Sequence, residues 1–291
     1  MKTEMTPRAQ RSWIVLDIES AVLDDVAHKR YQAMERWVPS DEKAIRRGYR
    51  RSEDPLTCPR WVFQTIATAA IMVLVEDAQG GVDVRRFITL SAPDHDERSV
   101  IAGILQALSE APADAEIVTW MGLAHDLPLL INGALKHGLC LPPNWKWLAF
   151  GGYHRDRHID LARAMTAGMK MKPIHLAEVL AAMDIPGKLT APPFAITAMI
   201  YAGQWDEVQS ACEVDVISTA LLLARWRRLT DPRAEADAVE DRILRRAIEL
   251  RAGRGYVPAL EAHRKRQFEV QYTKAANDAA RLAPWLKQDA A

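Results

Sequence analysis

Cysteine is scarce in this chain: only Cys58, Cys140 and Cys212 occur among 291 residues. An odd number without the paired spacing of a zinc site supplies neither a disulfide framework nor a cysteine-held metal, and it fits a reducing compartment, so a cytoplasmic location is expected. Long apolar runs are missing as well, and no stretch approaches the roughly 20 residues needed to cross a bilayer. The opening MKTEMTPRAQRS is polar and leads straight into a short apolar run, so neither a secretory leader nor a membrane partner is expected. An excess of charge of one sign is the third absence. Lys plus Arg and Asp plus Glu total 38 each, so any nucleic-acid site must come from local asymmetry rather than a global field. No internal repeat or low-complexity tract interrupts the chain.

Apolar residues make up 49% of the sequence, ample for a packed core at this length. Residues 12–20 (SWIVLDIES) read as a buried strand that turns polar at its end. Residues 21–61 are polar with several prolines. Two strand-like runs follow over 62–76 and 84–92, separated by the turn signal Asp77-Ala78-Gln79-Gly80-Gly81. The pattern then becomes helical through 99–111, strand at 116–121 (EIVTWM), and helical at 127–138 with a stop at Gly138. A further strand is expected over 158–165 (HIDLARAM), then a helix in IHLAEVLAAMD and a long helix from Trp205 to about Leu229, with Val208, Cys212, Val216, Thr219, Leu222 and Leu223 as its buried stripe. Three leading strands followed by alternating helices and strands predict an α/β fold whose mixed sheet is flanked by helices, rather than a purely parallel one. Residues 231–291, rich in Ala, Arg and Glu with a break at 251–258, predict a C-terminal helical extension on a domain spanning 1–230.

Side chains alternate along a strand, so Asp17 and Glu19 point the same way where an apolar strand meets solvent. Two such carboxylates repel, and a hard divalent cation is their natural partner; a solvated turn is the bland alternative. Asp126 opens the helix after EIVTWM, where it serves as a helix cap or as a ligand at a sheet edge, and the two roles are compatible. Asp215 lies at the edge of the long helix's apolar stripe and needs a partner, either a cation site or an Arg, while Glu213 points away.

Taken in order, these segments resemble the DEDD exonuclease superfamily, and specifically the predicted 3'-5' exonucleases related to the proofreading domain of family B DNA polymerases. The residues that carry the resemblance are Asp17-Ile18-Glu19, Met121-Gly122-Leu123-Ala124-His125-Asp126-Leu127-Pro128, His158-Ile159-Asp160-Leu161, Asp184-Ile185-Pro186-Gly187-Lys188 and Ala211-Cys212-Glu213-Val214-Asp215-Val216. The resemblance covers residues 12 to about 229. It implies a ribonuclease H-like fold and two Mg²⁺ or Mn²⁺ ions held by Asp17, Glu19, Asp126 and Asp215. Asp17 is implied on both ions, Glu19 and Asp215 on the nucleophile side, and Asp126 on the other. It also implies hydrolysis at the 3' end of single-stranded DNA or RNA. Three positions depart from the pattern: Met121 stands for Asn, His125 for Phe, and Ala211 for the Tyr expected to orient the attacking water. The sister subgroup's His would fall at Ser210. His125 and Tyr201 are the conceivable replacements.

The stretch from His28 to Trp61 interleaves Lys29, Arg30, Arg36, Arg46, Arg47, Arg50, Arg51 and Arg60 with Tyr31, Trp37, Tyr49 and Trp61. That mixture suits backbone neutralisation and base stacking on a single strand, and equally a solvated surface segment diluted by acids. His158 and Asp160 are expected to be structural, and Gly187-Lys188 offers a phosphate contact without being a P-loop, with a simple helix stop as the reading preferred. Three functional classes stay open: an active exonuclease, a weakened relative that binds nucleic acid, and a protein-interaction module built on the helical tail.

Overall fold

The computed structural model describes residues 11–35, 54–150, 157–231 and 234–282. Five strands form one sheet in the order β3-β2-β1-β4-β5: β1 (Ser12–Ala21), β2 (Thr65–Glu76), β3 (Val82–Ser91), β4 (Glu116–Thr119) and β5 (His158–Asp160). β1, β2 and β3 pair antiparallel, β2 and β3 through a short turn and β1 and β2 through the long segment from residue 22 to 64, while β4 joins β1 and β5 joins β4 in parallel through helical crossovers. This is the mixed sheet that the order of elements predicts, in the ribonuclease H-like arrangement that the resemblance implies.

Alternation along β1 sends its side chains to two cores. Ile14, Leu16 and Ile18 face α2 (Glu97–Glu110) and α3 (Asp126–His137), packing with Ile101, Ile104 and Leu130. Trp13 and Val15 face the other way, into a larger core filled by α7 (Trp205–Arg228). Asp17 and Glu19 continue that second face, opposite Ala70 and Thr68 of β2. The register shifts between Glu19 and Ser20, so a bulge interrupts the pairing directly after the acids, two residues before the strand ends at Ala21.

Several boundaries differ from expectation. The predicted strand 158–165 ends at Asp160, whose carboxylate accepts the Arg163 N–H (3.2 Å) and starts helix α4 (Leu161–Met165). The capping carboxylate overrides the apolar run that follows it. The strand expected from residue 62 begins at Thr65, because Trp61–Phe63 form a 3₁₀ turn. Two helices were not foreseen, α1 (Val26–Met34) in a polar stretch and α6 (Pro193–Tyr201), which starts on a proline as helix N-termini allow. Between α4 and α6 lies α5 (Leu176–Ala182).

The expected single buried stripe of the long helix is a second correction. α7 is buried without interruption from Ser210 to Ala224, because it has the sheet on one side and other elements around the rest. Helix α8 (Ala236–Leu250) and the start of α9 (Val257–Leu282) complete the enclosure, placing Val239, Ile243, Leu244, Ala247, Tyr256 and Leu260 in the same core as Trp13 and Val15. No described helix is long and apolar enough to cross a membrane. Of the basic and aromatic stretch, Arg36, Trp37, Arg46, Arg47, Tyr49, Arg50 and Arg51 lie outside the described residues.

At the far end of α7, Arg227 pairs with Glu76 at the end of β2, both almost fully buried, with the guanidinium 4.4 Å from the centre of the Trp13 ring. Removing one member of a buried pair leaves the other charge uncompensated. Glu76→Ala is therefore expected to lower unfolding stability by about 3–5 kcal/mol, read as a lower urea midpoint; a loss below about 1 kcal/mol would show the pair to be dispensable.

Candidate metal centre

The carboxylates of Asp17, Glu19 and Asp215 each offer an oxygen within 4.8 Å of the others. Two elements bring them together: the end of β1 supplies two from one face, and α7, laid across that face, supplies the third. Asp126 opens α3 beside the end of β4, almost completely buried. It does not join the 4.8 Å group, but it stands near enough to feel Asp17, Glu19 and Asp215 electrostatically.

The loop ahead of Asp126 is pinned by Asp160, whose two carboxylate oxygens accept the Met121 and Leu123 N–H groups at 3.1 Å each. Gly122 lies so close to Thr119 that a Cβ there would meet the Thr119 side chain at 2.5 Å. Met121 holds a left-handed backbone, φ 62°, at the position where the family pattern has Asn, a residue that tolerates that region better. His158 contacts Thr119 through Nε2 at 2.9 Å. Both His158 and Asp160 are thus scaffold, in keeping with the sequence reading.

All four acids are held neutral to higher pH than a free carboxyl. Burial raises Asp17 from 3.8 to about 7, and Asp215 beside it adds repulsion. Burial comes first for Glu19 and Asp126 also, followed by Asp17 in each case, and both lie well above their ordinary values. Asp215 is raised by burial, against the pull of Lys188. Lys188 makes an ion pair with Asp215. Burial works against its charge, but Asp215, Asp17 and Glu19 hold its pKa above the usual lysine value. The Cys212 thiol lies 3.4 Å from the Asp17 carbonyl and is pushed up by burial and the same acids.

Asp17 Oδ2 and Asp215 Oδ1 are buried and accept no hydrogen bond. Buried carboxylate oxygens facing one another without donors suit a hard cation, and oxygen-only ligands suit Mg²⁺ or Mn²⁺. The residues present fit such ions.

Around the acids, the positions that depart from the family pattern are accounted for. Ala211 packs in a small apolar cluster with Ile196, Ile200 and Val208 and offers no polar atom. The Tyr201 hydroxyl donates to the Val22 carbonyl at 2.9 Å. His125 is exposed, with enough protein around its ring to hold its pKa below the ordinary value. The pairing of Lys188 with Asp215 is what the sequence does not disclose, since a helix stop explains Gly187-Lys188 equally well; the signal pointing to it is a lone cation in a segment shared with the family. Glu213 turns away from the acids as expected, accepting from Thr89 Oγ1 (2.5 Å), Tyr256 OH (2.8 Å) and Arg254 Nη2 (3.1 Å).

A mixed sheet with acids gathered where β1 and β4 end defines a ribonuclease H-like protein. The chain belongs to the family described as predicted 3'-5' exonucleases related to the exonuclease domain of PolB, whose model matches residues 59–258. That match begins after β1, so it is the sheet that brings Asp17 and Glu19 to Asp215. Two solved structures are similar to it. One is titled "ExoI/SSB-Ct complex", at 12% identity and TM-score 0.40, covering 78% of this chain and 43% of that one. The other, titled "The structure of exonuclease I suggests how processivity is achieved", has 11% identity and TM-score 0.39, covering 77% and 42%. This chain thus spans less than half the length of either. No curated protein matches it.

A carboxyl whose folded pKa exceeds its unfolded one keeps its proton longer in the folded state, so the metal-free chain loses stability as pH climbs from about 4 to about 7. The melting temperature without metal is expected to fall from about pH 4 to about pH 7, with a shallower slope in Asp17→Asn. An equal slope in that variant would remove Asp17 from the cause.

Proposed function

We propose that this protein is a divalent-metal-dependent 3'-5' exonuclease acting on the 3' ends of single-stranded DNA or RNA. The observation that carries this reading is the meeting of Asp17, Glu19 and Asp215 with buried, donor-less oxygens on Asp17 and Asp215. Asp17, Glu19 and Asp215 would hold one ion, and Asp17 with Asp126 the other. Bound Mg²⁺ or Mn²⁺ supplies charge neutralisation for the anionic phosphate and an activated water.

The chain's own residues do the rest. β1 and α7 hold three carboxylates in place before any ligand arrives, which limits the reorganisation needed during reaction. Asp160 fixes the loop that delivers Asp126. Lys188 presents a fixed positive charge beside Asp215, complementary to phosphate. We keep the division into an exonuclease-like domain to residue 230 and a helical extension beyond it as part of the reading, with the first part of that extension sharing the main core. The cytoplasmic placement rests on three free cysteines.

One observation favours a second reading. Ala211 offers no group to orient water and Tyr201 is already bonded to Val22, which fits a relative that binds metal and nucleic acid but turns over slowly. Incubation of a 3'-labelled single strand with Mn²⁺ is expected to release mononucleotides, and Asp17→Ala to reduce release to the level of buffer. Metal and oligonucleotide binding without release would support the second reading. Binding of neither would leave only a protein-interaction module.

A further inference from the structure

The segment between α5 and α6 that carries Lys188 runs back along α7 and is held at three points on one side of that helix. Lys188 pairs with Asp215, the Pro186 carbonyl lies 2.6 Å from Ser218 Oγ, and the Met183 carbonyl accepts from Arg225. Positions 215, 218 and 225 share a side because three- and seven-residue steps return close to the same direction on a helix. Two residues of the segment, Asp184 (φ 49°) and Lys188 (φ 51°), adopt the left-handed backbone that costs side-chain-bearing residues energy. Such a conformation persists only where the surroundings over-determine it.

Those surroundings are the C-terminal helices. Glu240 of α8 accepts from Arg225 through both oxygens, at 2.6 and 2.9 Å, a paired geometry that fixes the guanidinium in plane. Gln267 of α9 donates to Asp184 at 2.8 Å. Arg225 stands ten residues from Asp215, about 15 Å along the helix, and touches none of the acids.

We propose that Arg225, locked by Glu240, is a positioning residue: it fixes the strained 183–188 segment and thereby sets Lys188 on Asp215, so that helices α8 and α9 govern the charge at the metal centre. This rests on the site reading above, but not on turnover.

The test uses the metal-free full chain and Mn²⁺ alone as probe. Lys188→Met removes a cation that competes for Asp215 and is expected to tighten Mn²⁺ binding about tenfold. Arg225→Gln is expected to move Mn²⁺ affinity in the same direction and to speed hydrogen exchange at the Asp184 and Ile185 amides about tenfold, with Val214 and Val216 little changed. Added to Lys188→Met, Arg225→Gln should move Mn²⁺ affinity no further. A merely structural role predicts additive effects, and additivity or unmoved exchange overturns the proposal. Gln267→Ala, at the exposed end of the relay, guards against misfolding of the first variant and should shift the same amides by a smaller factor; unmoved amides there count against the proposal also. Absent nuclease activity with these shifts present would overturn the proposed function alone.

Discussion

Helix α7 is surrounded on every side from Ser210 to Ala224, yet it carries Glu213, Asp215 and Ser218 within that stretch. Burying a polar or charged group without a partner costs several kcal/mol, so each of these residues dictates what packs against it. Glu213 draws in Thr89, Arg254 and Tyr256, which ties the turn between α8 and α9 to the sheet. Ser218 faces the Pro186 carbonyl, and Asp215 faces Lys188. The arrangement around the helix follows from those polar residues as much as from its leucines and valines.

Asp215 is the one of the three whose surroundings do not balance. On its own side lie Asp17 and Glu19, and Lys188 is the cation it pairs with. Part of the imbalance is met by protonation: burial holds all three carboxyls above their ordinary range, and repulsion from the neighbouring acids adds to it at Asp17 and Glu19. A divalent cation meets it better, since it attracts several carboxylates at once and occupies oxygens that nothing else reaches. The same gathering of carboxylates that burial penalises prepares the fold for metal.

Much of this was legible in the sequence. The two-residue spacing of Asp17 and Glu19 fixes their shared face wherever β1 pairs, and the long helix was bounded to within a residue or so at each end. The position of Asp126 at a helix start after a strand could be read, but its role as a cap does not hold: His125 takes the cap position without a capping bond, and Asp126 is the first residue of the helix. Less could be seen where a single polar side chain decides the local structure. Asp160 turns an apolar run into a helix, and Lys188 earns its role only through contact with a residue 27 positions away. Full burial of α7 was equally hidden, because which sides are covered depends on α8 and α9 folding back over it.

The central claim is that these acids form a cation site and not a strained structural cluster. Anomalous diffraction from crystals soaked in Mn²⁺ tests it most directly. Manganese peaks bounded by Asp17, Glu19 and Asp215, with Asp126 facing them, are expected. Crystals in which manganese is absent there, while the carboxylates keep their positions and Lys188 stays on Asp215, would contradict it.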